Sequence, residues 1–441
     1  MTSILVKPSL PRPINTPTVH QLSNGLTIVA EQLAVDAVNL NVWINIGSAI
    51  ESDDINGMAH FLEHIVFKGT PHLQIGEFEQ KIEQRGAVTN AATSQDYTHY
   101  YITTAPQDFA DLAPLQFDVV LNASVADEAF ERERFVVLEE IRRAEDNPGR
   151  RSFRQSMEIA FERLPYRRPV LGPASVIEQL QSQQMRDFHG TWYQPRSMTV
   201  AVVGNLPVEN LIQTVENAVS SVYPPSSSGS ALPELQPWTP EASFQEIVRQ
   251  EIIDDTLEQA RLLMLWRVPG LVELSETYPL DVLAYILGQG RTARLFQDLR
   301  ENRGLVSSIS ASNMTQRWQG VFYISARLPV ENLALVEGIL TDHIRQIQSE
   351  LITEDEIAKV RMQVANRFIF GNETPSDRAG LYGYYQSLVG DLTAGLHYPD
   401  HIQSLSSETI QQAAQRYLSP DAYGIVILKP SSNSHQSSVI S

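Results

Sequence analysis

The stretch PPSSSGSALPELQPWTP, residues 224–240, is rich in Pro, Ser and Gly and has little apolar periodicity, so it reads as a linker rather than a helix or a strand. It parts a chain of 441 residues, too long for one ordinary core, into two domain-sized lengths. The same order of events is written on both sides of it. The first half opens with VHQLS, the Asn24-Gly25 pair and LTIVAEQ, a hairpin with a tight primed turn. AVNLNVWINIG follows as an alternating strand, then a helix near residue 60 and a short helix over 75–85 ending near Gly86. AVTNAAT and DYTHYYITTA read as strands, 106–163 as two or three helices, 174–188 as another, and SMTVAVVGN as a buried strand before a helix from Pro207. The second half has a strand at QARLLMLWRVPG, helices at TYPLDVLAYILGQG and TARLFQDLREN, strands at LVSSISASNM and GVFYISARL, long helices, and AYGIVILK as a closing strand. The expected layout is a first domain over 1–223, the linker, a second similar domain over 241–430 and a disordered tail over 431–441, all of class α+β.

Residues 60–64, His-Phe-Leu-Glu-His, carry the chemistry of the first half. On a helix, positions three and four apart share a face, so His60 and His64 can aim two imidazoles at one ion with Glu63 beside them. Neutral imidazole suits zinc, and a neighbouring carboxylate can accept a proton from an activated water. The order H-x-x-E-H is the inverse of the commoner zinc-protease motif. Gly57 and the Ser52-Asp53-Asp54 cluster mark the start of this helix, and Lys68-Gly69-Thr70-Pro71 its stop.

A catalytic zinc needs a third protein ligand and an open position. The best supplier is the helix-like stretch from Glu131 to about Asp146, with Pro148-Gly149 as its stop. Glu133 and Glu140 stand seven apart, two turns along one face, whereas Glu139 is turned about 100° from Glu140. Taken alone, a Glu/Arg-rich helix of this kind is most often a solvated, ion-paired surface.

HFLEHIVFKGT, paired with ERFVVLEEI downstream, resembles the M16 family of zinc metallopeptidases, the inverzincins, and in length its short-chain branch containing the mitochondrial processing peptidase. LSNGLTIVAEQ, GAVTNAATSQDYTHYY, WYQPRSMTVAVVGN and GRTARLFQDLRENRGL extend the likeness over nearly the whole chain. The resemblance implies two homologous α/β-sandwich halves of the LuxS/processing-peptidase-like metallohydrolase type, related by duplication, with the zinc motif in the first half only. It implies one Zn2+ per chain held by His60, His64 and Glu140, with Glu63 as catalytic base and Glu133 orienting the site. Asn90 and Ala91 would lie on an edge strand that pairs with an extended peptide substrate, main-chain hydrogen bonds supplying much of the hold. Active members also carry an Arg and a Tyr seven residues apart, which bind substrate and stabilise the oxyanion. Here those positions are Arg300 and Ser307, so the expectation is the zinc-bearing subunit of a dimer, a homologous M16-type subunit supplying the missing pair or a homodimer forming. The activity implied is that of a metalloendopeptidase acting on extended peptides. A rival is a non-catalytic scaffold subunit that keeps the zinc motif; an amidohydrolase is a weaker one.

The rest of the chain excludes more than it suggests. A net charge of −19 argues against nucleic acid as a partner, and would favour basic peptides if the acid lined a cavity. With no cysteine there are neither disulfides nor thiolate ligands. MTSILVKPSLPRPINTP is interrupted by prolines, unlike a signal peptide, and no apolar run is long enough to span a membrane, so the expected setting is the cytoplasm. His99, inside an alternating strand, reads as structural, and the glycines of GQGR at 288–291 as a helix-ending turn rather than a phosphate loop.

Overall fold

Strands that read as unbroken apolar runs must be covered on both faces, and two such sheets organise this molecule. A computed structural model describes residues 16–223, 231–235 and 237–431. The first half supplies β1 (Thr18–Gln21), β2 (Thr27–Gln32), β3 (Val38–Ile44), β4 (Val88–Thr93), β5 (Thr98–Thr104) and β6 (Met198–Gly204). The second supplies β7 (Val248–Ile253), β8 (Ala260–Pro269), β9 (Ser308–Met314), β10 (Gln319–Leu328) and β11 (Gly424–Lys429). The sheet orders are β1-β2-β6-β3-β5-β4 and β7-β11-β8-β10-β9. Apart from the extra β1, they are the same sheet: β2 with β6 and β7 with β11 are parallel, and every other pair is antiparallel. The expected α+β duplication is thus present in topology and pairing direction.

The helices between β3 and β6 carry the site: α1 (Met58–Ile65), α2 (Glu77–Gln84), α3 (Phe109–Leu121), α4 (Asp127–Asp146) and α5 (Pro148–Ala160). Where α1 and α2 stand in the first half, the second has the helix Leu274–Gly288 and a π-helical segment Phe296–Asn302, neither with a histidine.

Alternate residues of the central strands serve two cores. Val200 and Val202 join α1, α3 and the helix Val208–Val222, whereas Ala201 and Val203 face Ala379 and Tyr382 of the helix Pro375–Leu388. That covering helix belongs to the second half. The exchange is reciprocal, because α5 of the first half packs on β8 and β11 of the second, around Leu263 and Leu265. Each half therefore completes the other. Close approach sets one residue in this exchange: a Cβ on Gly383 would lie 1.9 Å from the Trp43 indole Nε1, so only glycine lets that helix settle on β3.

Four sequence expectations change. Pro148-Gly149 starts a helix instead of ending one: Asn147 Oδ1 accepts from Gly149 and Arg150 N–H, and proline at the first helical position has no N–H to leave unsatisfied. The predicted helix over 174–188 is two, Ala174–Ile177 and Ser182–Trp192. TARLFQDLREN winds as a π-helix from Phe296, and β7 has no counterpart in the reading above, because its charged, mostly exposed VRQEII lacks a core face. Residues 224–230 and 236 of the expected linker, and 432–441 of the expected tail, lie outside the described residues; 231–235 and 237–240 have no regular secondary structure. Among the described residues, no helix is long and apolar enough to cross a membrane.

Candidate metal centre

The site begins with how α1 is held. Its N-terminus is anchored by Glu51, whose Oε1 accepts from Ala59 N–H at 2.7 Å and whose Oε2 accepts from Gly57 N–H at 2.8 Å and Asn56 Nδ2 at 2.9 Å. A carboxylate there meets the free amides and positive end of the helix. Burial outweighs these bonds and pushes the Glu51 pKa up to about 7. The buried Met58, Phe61, Leu62 and Ile65 sink one face of α1 into the first core, which turns His60 and His64 toward α4. Phe130 of α4 stacks on Phe61, ring centres 4.6 Å apart, and locks the two helices in register.

That packing brings Glu140 to the histidines. Its Oε2 lies 3.4 Å from His60 Nε2 and 3.5 Å from His64 Nε2, and the three donor atoms fall within 4.8 Å of one another. A tetrahedral zinc with bonds of about 2.0–2.1 Å separates neighbouring donors by roughly 3.3 Å, so the spacing and the donor set fit that ion. Glu139, as expected from its rotation, instead pairs with Arg142 and Arg143.

Glu133 sits one layer behind. Its Oε1 is 3.0 Å from His64 Nδ1 and its Oε2 3.0 Å from Lys68 Nζ. Accepting from Nδ1–H leaves Nε2 as the bare nitrogen that a metal needs. Desolvation disfavours a charged His64, but the hydrogen bonds to Glu133 and Glu140 outweigh it and hold its pKa up to about 9. Hydrogen bonds from His60 and His64 hold Glu140 well below the usual carboxylate range. Negative charge is thus built in where a cation would sit.

Glu63 projects into a groove it shares with His64, Glu133, Asn90 and Ala91. Its Oε2 accepts from Thr93 Oγ1 at 2.5 Å, which ties the carboxylate to β4. β4 is the sheet's outer strand, and Ala91 N–H donates to the Asn90 side chain at 2.9 Å. His99 Nδ1–H donates to Asn41 Oδ1 at 3.1 Å, the ring stacks on Trp43, and burial keeps it neutral, its pKa down to about 4. Arg300 is elsewhere: its guanidinium lies over Phe296, 4.8 Å from the ring centre, and makes no hydrogen bond or ion pair with the cluster among the described residues. Ser307 Oγ donates to Gln259 Oε1 at 2.7 Å.

Sequence reasoning missed Glu51, Lys68 and Thr93. Lys68 had a signal, since it follows His64 by one helical turn. Thr93 had none, because only strand pairing brings it to α1.

Two family models match the chain. The first, Insulinase (Peptidase family M16), covers residues 27–174, and the second, Peptidase M16 inactive domain, covers residues 179–364. An uncharacterized zinc protease of Mycobacterium tuberculosis is 29% identical over 427 residues, 96% of this chain and 95% of that protein. Another from Rickettsia bellii is 27% identical over 410 residues, 93% of this chain and 97% of that one. Among solved structures, a protease from Helicobacter pylori superposes with a TM-score of 0.87 at 25% identity, over 96% of this chain and all (100%) of that one.

Proposed function

Because the chain belongs to the M16 family of zinc metallopeptidases, we propose that it is a zinc-dependent endopeptidase cutting extended peptides or unfolded segments. The observation that carries this reading is the convergence of His60, His64 and Glu140 within 4.8 Å, with Glu63 in the adjoining groove. His60 Nε2, His64 Nε2 and a Glu140 oxygen would hold one zinc, which supplies the Lewis acid that makes a water nucleophilic near neutral pH. Glu63 takes the proton of the attacking water and returns it to the departing amine. Thr93 holds one Glu63 oxygen by hydrogen bond and leaves the other for that proton. Glu133 keeps His64 in the tautomer that presents Nε2. The outer edge of β4, at Asn90 and Ala91, takes the peptide as an added strand.

Among the described residues Arg300 lies over Phe296 and Ser307 bonds Gln259, neither touching the cluster, which supports a partner for oxyanion binding: a homologous subunit supplying an Arg/Tyr pair, or a second copy of this chain. The deciding experiment is hydrolysis of a quenched fluorescent peptide library by the zinc-loaded chain, with Glu63→Gln as blank. The expected loss in the variant is at least about 100-fold, the scale of a general base. A Glu63→Gln protein that keeps zinc and full turnover refutes the assignment.

A further inference from the structure

The groove beside Glu140 does not stop at the metal cluster. It runs along α4 past Phe135 and Val136, 70% and 50% exposed, to Arg150 at the start of α5. Arg150 also lines a half-open cavity of about 880 Å3 between α4, α5 and the loop 166–175. The cavity wall is mostly apolar, with Ile141, Phe153, Met157, Leu171 and Met314 among its residues. Four arginines interrupt it: Arg150, Arg154, Arg167 and Arg168.

The hydrogen bonding of these arginines is incomplete. The Nε–H groups of Arg154, Arg167 and Arg168 are each buried without a partner. Arg168 has a side chain only 10% exposed, so its donor is cut off from bulk water as well as from protein acceptors. Arg150 has no ion pair or side-chain hydrogen bond among the described residues. A buried donor left unsatisfied costs about 1–3 kcal/mol, but a nitrogen without accessible surface is out of a ligand's reach, so the cation open to one is the exposed, unpaired Arg150.

Charge is also uncompensated. Glu145 and Glu158 pair with Arg154, and Asp53 is shared between Arg167 and Arg168. Outside the cavity wall, Arg261 and Arg327 stand directly opposite each other on β8 and β10, and neither has an ion-pair partner among the described residues. Arg261 comes the nearer of the two, its Nη1 3.5 Å from where a Cβ on Gly149, a residue of the cavity wall, would be. The nearby Asp254 is already paired with Arg151. Thus four arginines at this cavity share three carboxylates, and Arg150 is the cation left over, in a chain whose net charge is −19.

We propose that this cavity is a specificity subsite for a carboxylate carried on an apolar stretch of the bound peptide, so that the chain selects acidic over basic substrates. The cavity adjoins Glu140 along α4, and one turn of helix, Glu140 to Ala144, spans only about 6 Å. Arg150 itself lies about 15 Å beyond Glu140 at the helical rise, so the carboxylate sits about four or five residues from the cut bond, at roughly 3.3 Å per extended residue. Apolar side chains beside it fill the wall around Phe153 and Met157. The carboxylate comes either from an internal Asp or Glu or from the peptide's C-terminus. This inference rests on the peptidase reading for the position of the cut, but its binding arm does not.

The test uses zinc-loaded Glu63→Gln full-length chain and a fluorescently labelled apolar peptide carrying Glu, Gln or Lys at one position, each as free acid and as amide. Binding is read by anisotropy, and turnover is read separately with the unsubstituted enzyme. The expected result is binding of the Glu peptide about tenfold tighter than the Gln peptide, and the Lys peptide weaker still. Arg150→Ala should flatten this order and Arg150→Glu should reverse it. Because Arg150 is exposed and unpaired, both variants should melt with the parent. Preference for the Gln free acid over its amide would identify the terminal carboxylate as the source. Equal or tighter binding of the Lys peptide, an order unchanged in both Arg150 variants, or no binding of any peptide by folded protein overturns the proposal. Selective binding without turnover would sink the peptidase reading alone; turnover without charge preference would sink this one alone.

Discussion

Removing the Glu133 carboxylate should weaken metal binding without touching a ligand. In Glu133→Ala, His64 Nδ1 loses an acceptor at 3.0 Å and Lys68 Nζ loses its ion pair at 3.0 Å. Glu133 is only 8% exposed, so water cannot fully replace either contact. A charge-assisted hydrogen bond is worth about 1.5–3 kcal/mol. At about 1.4 kcal/mol per decade, that corresponds to a 10–100-fold rise in the zinc Kd, the range found when partners behind metal ligands are removed. Glu133→Gln keeps an acceptor for Nδ1–H and should lose less, about threefold to tenfold. Lys68→Met leaves the His64 contact in place and should change Kd by less than about threefold. The assay is competition for zinc against a chromogenic chelator at fixed pH, with folding monitored by circular dichroism. A Glu133→Ala protein whose Kd stays within twofold of the parent would mean that His64 is oriented by packing alone, and the reasoning fails.

Three further outcomes follow from other parts of the molecule. Gly383→Ala should destabilise by about 1–3 kcal/mol or more, seen as a lower Tm, because its Cβ would sit 1.9 Å from Trp43 Nε1; Trp43→Leu should relieve part of that loss, and an unchanged Tm would remove the close-approach argument. Glu51 has a folded pKa raised to about 7 from 4.5, so the folded state holds its proton more tightly than the unfolded one. Its contribution is fully present below pH 4.5 and is lost as pH rises through 7, so the Tm of the parent relative to Glu51→Gln should fall between those values; a difference flat with pH would count against burial as the cause. Zinc at 100 times its Kd should stabilise the chain by about 2.7 kcal/mol, a gain measured by thermal melts with and without chelator and absent in His60→Ala.

Much of this was legible in local sequence. Helical spacing alone puts His60, Glu63 and His64 on one surface, alternation marks β3 and β5, and an unbroken apolar run marks β6. Glu140 was partly legible: its two-turn separation from Glu133 was visible, but nothing local distinguishes that face of α4 from an ordinary ion-paired helix. The Phe61–Phe130 stack and the burial of one face of α1 made the choice. β7 escaped because a strand whose side chains are mostly exposed has no core periodicity to display. Pro148 was misread because proline stops one helix by the same property that lets it begin the next.

The sequence by itself determined what depends on neighbours along the chain: the two-part plan, the strands with apolar faces, and the paired imidazoles with their carboxylate. Tertiary structure decided what depends on residues far apart in number. It placed Glu140 at the histidines, Thr93 on Glu63 and Glu51 under α1, exchanged a helix between the two halves, and gathered arginines into one cavity of an acidic chain. The physical reason is range. Hydrogen bonding and side-chain periodicity act over a few residues and leave a local signature, whereas burial and charge are settled only once the chain has folded back on itself.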